Sequence, residues 1–124
     1  MKNLALLGAT GSIGKSTLSL LRKHPQWVSC QLFSAHRNQE QLMALVKEFR
    51  PKYAVLTGAK VKLDQVESCL ASGCVLLEGR DALLELLTNI DLDTVLLAVT
   101  GAAGLEYGLR ALEHGARLAI ANKE

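Results

Sequence analysis

Leu4-Ala5-Leu6-Leu7-Gly8-Ala9-Thr10-Gly11-Ser12-Ile13-Gly14 decides the reading of this chain. Leu4–Leu7 is a short run with no polar residue, as in a strand buried on both faces. Glycines at 8, 11 and 14 interrupt it, and a helical period follows from Ser12 to about Lys23, with apolar residues at Ile13, Leu18, Leu20 and Leu21. The stretch therefore reads as strand, glycine turn and helix. Each glycine has its own use. Gly8 permits a tight turn at the strand end. Gly11, lacking Cβ, lets the backbone come close to an anion. Gly14 lets the helix pack against the sheet. A helix N-terminus offers free N–H groups and a partial positive charge to a phosphate. Thr10 and Ser12 add hydroxyl donors.

Working outward, the same alternation recurs. His24-Pro25 ends the first helix, because proline cannot continue it. Val28–Ala35 reads as a second strand. Asn38 is placed to cap a helix through Phe49, whose buried stripe is Leu42, Leu45, Val46 and Phe49. Arg50-Pro51 ends that helix. Tyr53–Leu56 is a third strand, and a polar helix is expected from about Lys60 to Ser72, with Val66 and Leu70 on one face and Gly73 as its left-handed cap. Cys74–Leu77, Thr94–Val99 and Arg117–Ala121 read as strands four to six. Arg80–Thr88 and Leu105–His114 read as the helices between them, the second capped by Gly115.

Six strands alternating with helices imply a parallel sheet with right-handed crossovers. The expected architecture is an α/β, doubly wound, Rossmann-type dinucleotide-binding domain over residues 1–124, with strand order 3-2-1-4-5-6. Gly14-Lys15-Ser16-Thr17 resembles the end of a P-loop, but that motif needs a further glycine where Ala9 stands, so an ATPase reading is poor.

The end of the second strand indicates which dinucleotide. A site for NAD places Asp or Glu there to hold the ribose hydroxyls. This chain has Ser34-Ala35-His36-Arg37-Asn38, with no acid. Arg37 supplies a fixed charge and a planar fork of donors suited to a 2′-phosphate, so NADPH is the expected cofactor. His36 reads equally well as a solvated side chain or as a neighbour of the adenosine. Val99-Thr100-Gly101-Ala102-Ala103-Gly104 repeats the strand–glycine–helix logic, where the nicotinamide half would pass close to the backbone. Asn122-Lys123-Glu124 follows the sixth strand at the carboxyl edge, where open α/β sheets bind ligands. A strand end facing that crevice seldom closes a domain, so the chain is expected to be part of a longer polypeptide.

Composition narrows the classes. Apolar residues make up about half of the 124-residue chain, the formal net charge is +2, and no basic run suggests nucleic acid or a membrane surface. The mild positive balance suits a phosphorylated ligand. No stretch approaches the roughly 20 apolar residues of a membrane helix, and the N-terminus lacks the pattern of a signal peptide. Cys30, Cys69 and Cys74 lack metal-ligand spacing and read as reduced thiols of a cytoplasmic protein. Asp91 and Asp93 fall at the amino end of the fifth strand, away from the crevice, and read as turn residues.

Taken in order, Gly8–Gly14 with Ser16-Thr17-Leu18, Ala35–Asn38, Arg50-Pro51-Lys52-Tyr53-Ala54, Gly101-Ala102-Ala103-Gly104-Leu105 and Leu118–Glu124 closely resemble the N-terminal domain of the 1-deoxy-D-xylulose 5-phosphate reductoisomerase family. Ala121-Asn122-Lys123-Glu124 is the most specific piece of the likeness. Ala9 departs from a frequent serine, and His36 stands where glycine is frequent. The resemblance implies an NADPH- and Mg²⁺- or Mn²⁺-dependent homodimeric oxidoreductase of the non-mevalonate isoprenoid pathway. Such an enzyme turns 1-deoxy-D-xylulose 5-phosphate, a phosphorylated sugar, into 2-C-methyl-D-erythritol 4-phosphate. It further implies that Thr10, Gly11, Ser12 and Ile13 contact the pyrophosphate region, and that His36, Arg37 and Asn38 surround the 2′-phosphate. Asn122 and Glu124 would meet the cofactor, and Lys123 the substrate. No metal ligand or catalytic residue is expected within these 124 residues. Two alternatives remain open from the residues: a semialdehyde-dehydrogenase-type NADP domain, and a non-enzymatic nucleotide-sensing module.

Overall fold

The computed structural model describes residues 1–66, 71, 73–99 and 101–121. Six parallel strands form one sheet: β1 (Lys2–Leu7), β2 (Val28–Ala35), β3 (Tyr53–Leu56), β4 (Val75–Glu78), β5 (Thr94–Leu97) and β6 (Arg117–Ile120). Among the described residues the helices between them include α1 (Ser12–Lys23), α2 (Gln39–Phe49), α3 (Arg80–Asn89) and α4 (Gly101–Glu113). β1 needs no polar residue after Asn3 because both its faces are covered. Leu4 and Leu6 pack with Leu18 and Leu21 of α1 and Leu42 and Val46 of α2. Ala5 and Leu7 pack with Leu83 and Leu87 of α3 and Tyr107 of α4. Burial on both faces is what distinguishes central parallel strands from half-solvated ones.

The first half forms as its punctuation dictates. Asn38 caps α2, its Oδ1 accepting from Gln41 N–H at 3.0 Å while its Nδ2 donates to Gln41 Oε1 at 3.1 Å. Pro25 and Pro51 each follow a helix end. Of the apolar residues of α1, Leu18 and Leu21 are buried, whereas Leu20 faces solvent.

Three expectations are corrected. The sheet runs β4-β3-β2-β1-β5-β6, so β5 and not β4 lies beside β1. The place beside β1 demands cover on both sides: Val95 and Leu97 of β5 are buried on one face, and Leu96 packs, partly buried, on the other. Val75 of β4 is half exposed and its strand ends in Glu78, which suits an edge. Next, Lys60–Lys62 is extended rather than helical. Lys62 N–H donates to Gln39 Oε1 at 2.6 Å, Gln39 Nε2 donates to Lys62 C=O at 3.0 Å, and Val61 N–H donates to Glu78 Oε1 at 3.0 Å. These tertiary bonds satisfy the backbone groups that a helix would have used. A single 3-10 turn, Leu63–Gln65, follows; residues 67–70 and 72, and with them Leu70 and Cys69, lie outside the described residues. Finally, α4 starts at Gly101 instead of Leu105. Gly104 belongs to its first turn, where a Cβ would stand 2.2 Å from the Val99 carbonyl oxygen.

Asp91 and Asp93 are turn residues, as expected. Asp93 Oδ2 accepts from Asn3 N–H at 2.7 Å, and the Asp91 carbonyl accepts from Asn3 Nδ2 at 3.1 Å, both at the amino edge. Among the described residues no helix is long and apolar enough to cross a membrane.

Candidate functional site

The strand order puts the topological switch between β1 and β5, and a cleft opens there at the carboxyl ends. It holds about 510 Å³, within the usual range for small-molecule sites, and its walls come from four turns. Gly8, Thr10 and Gly11 come from the β1–α1 turn and Ser34, Ala35 and His36 from the end of β2. Thr57 follows β3, and Ala98, Val99, Ala103 and Tyr107 follow β5. Arg80, at the start of α3, completes the lining. A hollow of about 570 Å³ between α1 and α2 includes Met1 and Pro25 and lies at the opposite, amino end of the strands.

Two of the three loop glycines are dictated by the chain itself. Gly8 has φ +87°, and a Cβ there would stand 2.7 Å from the Ala98 carbonyl oxygen. A Cβ on Gly14 would stand 2.5 Å from the Gly8 oxygen and 2.6 Å from the Ala9 oxygen, so α1 rests directly on the turn. Gly11 differs. Its φ of −78° is open to any residue, and its Cβ would find only the Gly8 oxygen, at 3.6 Å. Nothing in the protein requires glycine at 11. The space that a Cβ would occupy there opens on the cleft.

Gly11 is also the N-cap of α1 and has no side chain with which to cap it. The first backbone bond of the helix runs from Lys15 N–H to the Gly11 carbonyl at 2.9 Å, after the N–H groups of Ser12, Ile13 and Gly14. The first turn contains no acidic residue. Its amide donors and the helix dipole together favour an anion. The turn is held rigid by Ser34, whose carbonyl accepts from Gly8 N–H at 3.1 Å and Ala9 N–H at 2.8 Å. The Ser34 hydroxyl also accepts from Gly8 N–H, at 3.1 Å.

At the far end, the His36 ring lies over Gly58, where a Cβ would come within 2.1 Å of the ring carbon Cε1. The His36 carbonyl accepts from Gly58 N–H at 2.6 Å. His36 is thus a fixed wall of the cleft. Arg37 is exposed beside it and makes no ion pair with a described residue, so its guanidinium is available to a ligand. Asn38 is already engaged with Gln41, so capping α2 is its first task. Tyr107 is only 3% exposed, and burial pushes its phenol above the ordinary range, so it lines the floor as a neutral group. Burial likewise raises the half-buried Cys30 thiol to about 11, far from the cleft.

Of the residues singled out in the sequence, Gly8, Thr10, Gly11 and His36 line the cleft directly, and Ser12, Ile13 and Gly14 form the helix turn that faces it. Thr100, Asn122, Lys123 and Glu124 lie outside the described residues. Sequence reasoning missed Ser34, Thr57, Arg80 and Tyr107. A serine within the otherwise apolar Leu32–Ala35 was a usable signal for the first. The other three sit in no local motif and reach the cleft only through the packing of the sheet and its helices. Among the described residues no three His, Cys, Asp or Glu side chains are grouped to hold a metal ion.

The family model for 1-deoxy-D-xylulose 5-phosphate reductoisomerase matches residues 4–124. The chain is 42% identical over 127 residues to a 1-deoxy-D-xylulose 5-phosphate reductoisomerase of Ralstonia pickettii, and 40% identical over 126 residues to one of Dechloromonas aromatica. All of this chain is covered in both cases, and it spans 32% of each relative's length. The structure is similar to a Zymomonas mobilis 1-deoxy-D-xylulose 5-phosphate reductoisomerase in complex with NADPH (TM-score 0.88, 34% identity, 98% of this chain and 32% of that one). It also matches a DOX-P reductoisomerase in complex with NADPH, fosmidomycin and magnesium (TM-score 0.89, 34% identity, 100% of this chain and 31% of that one). The semialdehyde-dehydrogenase and nucleotide-sensor alternatives are not favoured by these likenesses.

Proposed function

Since the chain belongs to the 1-deoxy-D-xylulose 5-phosphate reductoisomerase family, we propose that its cleft binds NADPH for the reduction of a phosphorylated sugar. The observation that carries this reading is Gly11. It is a glycine that the protein's own packing does not need, at the uncapped start of α1, on the wall of the cleft. The whole protein would convert 1-deoxy-D-xylulose 5-phosphate to 2-C-methyl-D-erythritol 4-phosphate as a cytoplasmic homodimer with Mg²⁺ or Mn²⁺. Residues 1–124 would be its cofactor domain. Among the described residues no three His, Cys, Asp or Glu side chains are grouped, and the metal would be held by residues outside them.

NADPH, when bound, supplies a hydride. The chain's own residues do the holding. The amides of Ser12, Ile13 and Gly14 and the Thr10 hydroxyl receive the pyrophosphate, and Gly8 and Gly11 let it come close. Arg37, with no acid beside it on β2, takes the 2′-phosphate, and His36 walls the adenosine side. The small residues Ala98 and Ala103 leave room on the β5 side for the nicotinamide half. Asn122 and Glu124 would complete the cofactor site, and Lys123 would reach the substrate.

Calorimetric titration of the chain with NADPH and with NADH, repeated on Arg37→Ala, tests the proposal. NADPH should bind more tightly than NADH, and the substitution should remove most of that preference, on the order of tenfold or more for a charge-assisted phosphate contact. Equal affinity for both cofactors, unmoved by the substitution, would refute the assignment.

A further inference from the structure

We infer that Arg80 is a further phosphate-binding residue of this cleft, and that Glu106 competes with the ligand for it. This rests on the nucleotide reading above. Among the described lining residues Arg80 is the only one with a fixed charge. It stands one residue beyond Gly79, whose N–H donates to the Leu56 carbonyl at 2.9 Å, and so starts from the β3–β4 side of the crevice. Glu106 stands on α4, which follows β5. The Arg80 side chain therefore spans the mouth from one half of the sheet to the other.

The pair is built to exchange. Arg80 Nε donates to Glu106 Oε1 at 3.0 Å, and its Nη2 donates to the same oxygen. One carboxylate oxygen thus takes both bonds, where a forked pair would use two. Of the five N–H donors of a guanidinium, this leaves Nη1 and part of Nη2 for another acceptor. Both side chains are about half exposed, so water screens their attraction and can solvate Glu106 once it is released. A phosphate offers at least two anionic oxygens, so the guanidinium fork can place two parallel bonds on separate oxygens, where Glu106 takes both on one. The ion pair is not needed to join the two helices. Leu83, Leu84 and Leu87 of α3 and Tyr107 and Ala111 of α4 already share one buried cluster, and Arg110 Nη1 donates to Thr88 Oγ1 at 2.9 Å.

Opposite signs distinguish this role from a structural one. Arg80→Gln should weaken NADPH binding by about tenfold. Glu106→Gln should tighten it several-fold, because the competitor is gone. Both variants should melt within a few degrees of the unaltered chain. Titration with NADH identifies the phosphate: a parallel loss in Arg80→Gln assigns the pyrophosphate, and a loss confined to NADPH assigns the 2′-phosphate. Adenosine, which has no phosphate, should be indifferent to both substitutions. The same direction of change in the two variants, or no change in either, would overturn the inference while leaving the cofactor reading intact. Failure of the unaltered chain to bind any dinucleotide would instead overturn that reading, and the role of Arg80 with it.

Discussion

Adding one methyl group at 11 or at 14 should separate the two uses of glycine in the same turn. In Gly14→Ala the new Cβ stands 2.5 Å from the Gly8 oxygen and 2.6 Å from the Ala9 oxygen, and must withdraw by about 0.5 Å to reach even the 3.0 Å that real Cβ contacts respect. Both obstacles are backbone carbonyls, so relief requires α1 to lift from the β1 turn. Overpacking of this kind costs about 1–3 kcal/mol, with rigid backbone neighbours favouring the upper end. Alanine's helix propensity returns at most about 1 kcal/mol. The net loss is about 2 kcal/mol, which for a domain of this size lowers Tm by roughly 8 °C. In Gly11→Ala the nearest atom is 3.6 Å away and φ is already −78°. A poorer N-cap and a less flexible unfolded chain act in opposite directions by several tenths of a kcal/mol, so stability should stay within about 0.5 kcal/mol. The methyl would, however, occupy the space through which a phosphate approaches Ser12 and Ile13, and NADPH affinity should fall at least about tenfold. Thermal unfolding followed by circular dichroism, with calorimetric titration on the same samples, measures both. A Gly11→Ala chain that binds NADPH like the parent would refute the claim that this glycine faces the ligand. A Gly14→Ala chain with unchanged Tm would refute the claim that α1 rests on the turn.

Two further outcomes are expected. Asn38→Ala removes the cap of α2 and should lower stability by about 1 kcal/mol with or without cofactor, read by denaturant unfolding. An effect seen only on NADPH affinity would make Asn38 a ligand contact rather than a cap. Cys30, its thiol raised from 9.0 to about 11 by burial, is favoured in its neutral form by folding. That contribution is complete below pH 9.0, the unfolded value, and is lost as pH rises toward 11, so unfolding midpoints should decline across this window and decline less in Cys30→Ala. Identical pH profiles for the two chains would remove the cysteine from the account.

The first half of the fold was legible because its signals are local. Pro25, Asn38 and Pro51 each act within a turn of where they stand, and the bounds of β2, β3, α1 and α2 follow them closely. The second half was less so because its decisive contacts are distant. Whether β4 or β5 lies beside β1 depends on which can be buried on both faces in the assembled sheet, and periodicity of four-residue strands does not rank them. Lys60–Lys62 escapes the helix because Gln39, more than twenty residues earlier, meets Lys62 along its backbone. Of the site, the glycine turn and the end of β2 could be read from residue types alone. Arg80 and Tyr107 could not: Arg80 sits in no motif, and the wrong strand order sets β5, and with it Tyr107, one strand further from Gly11.

The neighbour of Gly8 has a consequence for how the domain is made. Ala98 N–H donates to the Leu7 carbonyl at 2.9 Å, and the Ala98 carbonyl is the atom that leaves Gly8 no room for a side chain. The glycine turn leaves the ribosome well before one of its walls, which is supplied ninety positions later. During synthesis β1 and β2 can pair early, but β1 keeps an open edge until β5 emerges, and such edges invite wrong partners. The glycine turn is thus begun early and closed late, and a nascent chain halted before Ala98 would carry the glycine signature without the wall that completes the cleft.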